Sequence, residues 1–90
     1  MDTIIKAIPL DHYRIEILTS SGVSGIFNVQ PYLGGSAFKE LTNKSYFCLV
    51  RPTHHGISWP HEQDFSADTI LWDIQKAQSI GSQEEALKPI

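Results

Sequence analysis

The chain opens with two stretches in which apolar and polar residues alternate, the two-residue period of a β-strand that buries one face. Thr3 to Ile8 is the first, ended by Pro9; Tyr13 to Thr19 is the second, with Tyr13, Ile15 and Ile17 on one face and Arg14 and Glu16 on the other. Ser20-Ser21-Gly22 supplies a turn in which glycine is free to take positive φ. Val23 to Val29 is rich in β-branched and aromatic residues, so the second and third strands form a hairpin. Pro31 and the pair Gly34-Gly35 then stop the sheet. Ser36 is placed to cap a short helix whose Phe38 and Leu41 share a face, and Asn43 suits its exit.

Tyr46 to Val50 is apolar on both faces, which predicts a strand inside the sheet, ended by Pro52, with Cys48 packed in the core. His54-His55-Gly56 reads as a turn into Ile57-Ser58-Trp59, a short strand that Pro60 ends because it has no N–H to give to a ladder. Asp64 or Ser66 begins the one longer helix, with Asp68 in the first turn, where the helix dipole favours an acid. Ile70, Ile74 and Ala77, joined by Leu71 and Gln78, keep a helical period; Asp73, Gln75 and Lys76 face away, and Gly81 can close the helix. Ser82 to Ile90 is polar and has no apolar period. The expected architecture is α+β: a small antiparallel or mixed sheet of four to five strands, one short helix and one longer C-terminal helix. Residues 1–80 form a single domain in this reading and 81–90 a flexible tail.

Composition narrows the class. Ninety residues cannot divide their apolar side chains between two cores and still offset the entropy of ordering the chain. The 41% hydrophobic and 19% charged content is that of a globular domain, neither disordered nor a coiled coil. No run approaches the roughly 18 apolar residues of a membrane helix. The start, Met1 to Lys6, lacks the basic and apolar regions of a signal peptide, and Cys48 has no partner for an intrachain disulfide, so a cytoplasmic protein is expected. Ten acids against seven bases give a formal charge of −3, and Lys6, Arg14, Lys39, Lys44, Arg51, Lys76 and Lys88 stand singly. Without a basic stripe to neutralise phosphates, direct nucleic-acid binding is not expected.

The candidate chemistry is sparse. His54, His55, His61 and Asp64 fall within eleven residues and are of the types that ligate transition metals, yet their spacing matches no standard site. Solvated loop histidines are the competing reading, and a metal- or ligand-binding enzyme built on these four residues is the alternative function. Cys48 as a nucleophile needs a histidine beside it in space, and burial in an apolar strand would raise its pKa. No nucleophile elbow, phosphate loop or His-Glu-x-x-His run is present, and helix capping explains Asp64 and Asp68 better than acid/base work does. Trp59-Pro60 followed by Asp64-Phe65-Ser66 is more distinctive: Trp59 and Phe65 either fill the edge of the core or form, with Pro60 and Asp64, a recognition surface. Tyr32 and Trp72 carry the same two readings. No cofactor is expected.

One resemblance rests on the order of several of these segments. Gly25-Ile26-Phe27-Asn28-Val29 leads to Tyr32-Leu33, then Phe38-Lys39-Glu40-Leu41, Tyr46-Phe47, Ile57-Ser58-Trp59-Pro60, Asp64-Phe65 and Asp68-Thr69-Ile70-Leu71. Over about residues 1–72 this order resembles the prokaryotic family known as domain of unknown function 2442. Its most specific part is Trp-Pro, a short spacer, Asp, then Asp-Thr-x-Leu. Where the family often has an Asn-Gly turn after Trp-Pro, this chain has His61-Glu62-Gln63. The resemblance implies a compact α+β domain and carries over no catalytic residues. Its members are often encoded beside another small protein in a toxin–antitoxin-like arrangement. The favoured function is therefore a non-enzymatic protein-interaction or antitoxin-like module. Trp59, Pro60, Asp64, Phe65 and Trp72 are its candidate partner surface, the product of an adjacent gene its expected partner, and a homodimer a further option.

Overall fold

In a computed structural model that describes residues 2–76, the chain folds as α+β, with two three-stranded antiparallel sheets rather than the single sheet expected. The first sheet has the order β1-β2-β3, from β1 (Ile4–Leu10), β2 (Arg14–Thr19) and β3 (Ser24–Asn28). The second has the order β4-β5-β6, from β4 (Arg51–Pro52), β5 (Gly56–Ser58) and β6 (Asp64–Ser66). Between them lie a 3₁₀ turn at Gln30–Tyr32, a 3₁₀ helix at Ser36–Thr42 and the short helix α1 (Lys44–Phe47); residues 67–76 form α2. The expected helix positions Ala77, Gln78 and Gly81, and the tail 81–90, lie outside the described residues.

The first sheet follows from alternation. Ile15 and Ile17 are fully buried while Arg14 and Glu16 are exposed, and Gly22, at φ 92°, lets β2 turn into β3. β1 runs through Pro9 to Leu10, two residues beyond the expected stop, for a reason visible in the ladder. The bonds from Val29 N to Tyr13 O and from Thr19 N to Val23 O, both 2.9 Å, mark the odd-numbered residues of β2 as those bonded to β3. Its even-numbered residues therefore bond to β1, where Glu16 pairs with Ile8 and Arg14 with Leu10. Pro9 falls between those pairs with its nitrogen turned away from β2, so its missing N–H costs the ladder nothing. An irregularity between Ile4 and Lys6 leaves Ile4 inside and Ile5 outside.

The run Tyr46 to Val50 is not a strand. The Asn43 side chain accepts from the backbone N–H groups of Ser45 and Tyr46 and starts α1, so Asn43 caps a helix beginning as well as ending the 3₁₀ segment before it. Ser36, by contrast, is inside its 3₁₀ helix, which starts from Gly35 with no side-chain cap. Phe47 and Val50, three apart, are buried, whereas Cys48 and Leu49 are exposed. The core position expected for Cys48 is thus corrected by the helical period. Pro52 belongs to β4, and the segment from Asp64 is a strand; of the two expected helix starts only Ser66 serves, its hydroxyl accepting from Thr69 N at 3.2 Å.

The two sheets share one core. Phe65 of β6 meets Phe27 of β3 with ring centroids 5.0 Å apart and stacks on Phe38 at 4.9 Å, and Trp59 lies 6.0 Å from both Phe47 and Phe65. The Trp59 indole N–H donates to the Phe47 carbonyl at 2.9 Å, which satisfies the polar atom of a side chain only 2% exposed. Gly56 sits where β5 crosses β6: a Cβ there would overlap the Phe65 carbonyl. At the far side, α2 lays Ile74 against Gly25, where a Cβ would stand 2.6 Å from Ile74 Cγ2.

Candidate interaction surface

The positions singled out from the sequence separate into core and surface. Trp59 and Phe65 are buried in the core, whereas Pro60 and Asp64 are exposed at the β5–β6 turn and Trp72, 60% exposed, stands on α2. The corner between Trp59 and Gln63 is a tight turn closed by Trp59 N to Gln63 O at 2.9 Å and Glu62 N to Trp59 O at 3.1 Å. Glu62 takes φ 76° there, a left-handed conformation in which a side chain is strained.

The histidines do not converge. His61 Nδ1 lies 2.6 Å from Glu40 Oε2, and Gln63 Nε2 donates to the other oxygen of Glu40 at 3.0 Å. Tyr46 completes this network: its hydroxyl donates to Gln63 Oε1 at 2.6 Å and accepts from His61 N at 2.8 Å, which fixes the turn to α1 and the 3₁₀ helix. His54 and His55, at the opposite end of β5, line a groove with Asp2, Ser66 and Asp68 instead. Among the described residues no three His, Cys, Asp or Glu side chains are placed to hold a metal ion, so the set His54, His55, His61 and Asp64 is not assembled. Asp2 is engaged locally. The Ser21 hydroxyl above all holds its carboxyl down at about 2 against the upward push of desolvation, helped by the Ser20 hydroxyl and the Ser21 backbone N–H.

A different constellation gathers around Trp72. The odd residues of β3 bond to β2, so the N–H and C=O groups of Ser24, Ile26 and Asn28 point to the side away from it, an edge of the sheet that no other strand pairs with among the described residues. Along that edge runs a groove of about 340 Å³ walled by Ile26 and Asn28 on one side and by Tyr32, Trp72, Asp73 and Lys76 on the other. A second, open groove continues past Trp72 between Tyr32, Asp68, Thr69 and Asp73. Asp73, expected to face away, is half-buried and accepts from the Tyr32 hydroxyl at 2.7 Å. This bond, with burial and the nearby negative charge, pushes the Tyr32 pKa up to about 12. Lys76 Nζ stands 4.7 Å from the Trp72 ring centroid, a cation over an aromatic face. Ile26 is exposed too, in one row across the sheet with Glu16 and Ile8. The sequence singles out Trp72 and offers Tyr32 with two readings, but does not point to Ile26 or Asp73 as their neighbours, because a groove beside a strand edge and a contact 41 residues away leave no local signal.

The described residues define a small α+β domain with one core spanning two antiparallel sheets and an aromatic groove along the β3 edge. The chain belongs to the family described as Protein of unknown function (DUF2442), whose pattern it matches over residues 4–75. No curated protein and no solved structure matches it. Among the described residues no helix is long and apolar enough to cross a membrane.

Proposed function

We propose that this protein is a non-enzymatic protein-interaction module, antitoxin-like in its regulatory role, that works in the cytoplasm and holds the product of an adjacent gene. The observation that carries this reading is the exposed Trp72 beside an edge of β3 that is unpaired among the described residues. An edge strand free of charged residues is open to strand addition, which gives affinity through the backbone and specificity through neighbouring side chains. A large aromatic ring at that edge is the kind of side chain that dominates binding energy at interfaces. The family relationship agrees without adding an activity. An epitope tag on the protein at its natural level of expression should bring down one stoichiometric partner encoded nearby, and a Trp72→Ala variant should bring down less of it. Purification of the tagged protein alone, at natural expression and low salt, would count against the reading.

A further inference from the structure

We propose that the groove along β3 receives an extended peptide segment carrying an arginine or lysine, whose cationic end lies between Tyr32 and Trp72 against the carboxylates of Asp68 and Asp73. This inference rests on the interaction-module reading and names the occupant of its surface. Two features of the groove select that occupant. Its β3 wall is formed by Ile26 and Asn28, and the backbone groups of Ser24, Ile26 and Asn28 that point away from β2 are those an added strand would pair with; a strand is the one shape that uses them all. Its other wall changes character at Trp72. On the C-terminal side Lys76 already stands 4.7 Å from the ring centroid, so this indole takes a cation within the molecule itself. The second groove holds Asp68, one helical turn before Trp72, and Asp73, the residue after it, with Tyr32 and Trp72 as its aromatic sides.

Among the described residues neither carboxylate has a cation within salt-bridge distance, and the only ion pair is that of Glu40 with His61. A guanidinium or ammonium entering there meets two negative charges and two ring systems, a combination that favours cations over neutral or acidic side chains. A second copy of this chain fits less well, because β3 is Ser-Gly-Ile-Phe-Asn and brings no positive charge. The net charge of −3 also favours a basic partner.

The test uses the full chain and two blocked hexapeptides, one alternating valine with arginine and one alternating valine with glutamate. Binding is read by amide shifts in nitrogen–proton spectra. The arginine peptide should bind about tenfold or more tightly than the glutamate peptide, with shifts centred on Ser24, Ile26, Asn28 and the Trp72 indole, and should weaken as salt is raised. Asp68→Asn, an exposed change that leaves the Tyr32–Asp73 bond intact, should lower the preference several-fold, and adding Asp73→Asn should remove most of it. Equal binding of the two peptides, shifts centred elsewhere, or an undiminished preference in the doubly substituted protein would overturn the proposal. Should the double variant lose its spectral dispersion, Asp68→Asn and Trp72→Ala decide the matter. A natural partner held equally well by Trp72→Ala and Asp68→Asn proteins would overturn this surface and leave the interaction module standing. Absence of any partner, with the arginine preference intact, would do the reverse.

Discussion

At the scale of single residues, the backbone of this chain takes the left-handed region at three side-chain-bearing positions: His12, Tyr13 and Glu62. The first two lie between β1 and β2, where a tight hairpin turn needs consecutive positive φ values to match the strand twist. Glu62 is different, being the single strained residue in the turn that carries Trp59 into β6. Its side chain is exposed, whereas the neighbours that hold the turn are Gln63 and His61. A left-handed conformation costs a non-glycine residue roughly 1–2 kcal/mol, and glycine gives back roughly 0.5–1 kcal/mol of that through its freer unfolded chain. Glu62→Gly should therefore stabilise the protein by about 0.5–1 kcal/mol, an increase in melting temperature of a few degrees for a domain this small. Calorimetry showing a lower melting temperature would mean that Glu62 makes a compensating contact.

At the scale of elements, α2 owes its position to one glycine. Ile74 is buried against the inner face of β3 at Gly25, and any side chain there must push the helix outward. Gly25→Ala should cost about 1–3 kcal/mol, the usual range for overpacking. Ile74→Ala should cost about 2–5 kcal/mol on its own through lost burial and the cavity left behind. Because each change removes the reason for the other's penalty, the double variant should be more stable than the sum of the two predicts, and denaturant titration of the four proteins measures that coupling. Additive losses would place the helix elsewhere. The same contact marks the limit of what the sequence makes legible. The β2–β3 hairpin is visible because alternation and Gly22 agree, and Ser66, Ile70 and Ile74 show the later helix because its period spans two turns. Tyr46 to Val50 is misleading because a short apolar run fits a strand or a helix equally well, and Asn43, which decides for the helix, reads just as naturally as an ending. Strands of two or three residues such as β4 and β6 are too short to show any period. The candidate groove is a product of tertiary structure: Trp72 is conspicuous by size, but its neighbours come from β3 and from a 3₁₀ turn some forty residues away.

At the scale of the whole molecule, two separate sheets raise the question of whether the chain unfolds in one step or two. β4 and β6 are so short that the second sheet has little backbone pairing of its own, and a small isolated sheet is marginal in water. What holds it is aromatic: Phe65 touches Phe27, Tyr32, Phe38 and Trp59, so the one fully inward side chain of β6 belongs equally to the first sheet and to the segments between. Trp59 in turn hydrogen-bonds to Phe47, which packs edge-on against Tyr13, just before β2, with ring centroids 5.4 Å apart. Neither sheet can lose these contacts without exposing the buried face of the other, so unfolding should be a single cooperative transition. A Trp72→Phe variant leaves Trp59 as the one indole, a probe at the β5–β6 turn where the second sheet meets the shared core, while far-UV circular dichroism follows the backbone as a whole. The two signals should give the same midpoint and the same slope in urea. If the Trp59 fluorescence changed at distinctly lower urea than the dichroism, the second sheet would be an independent unit docked on the first, and the shared aromatic core would be the weaker of its two supports.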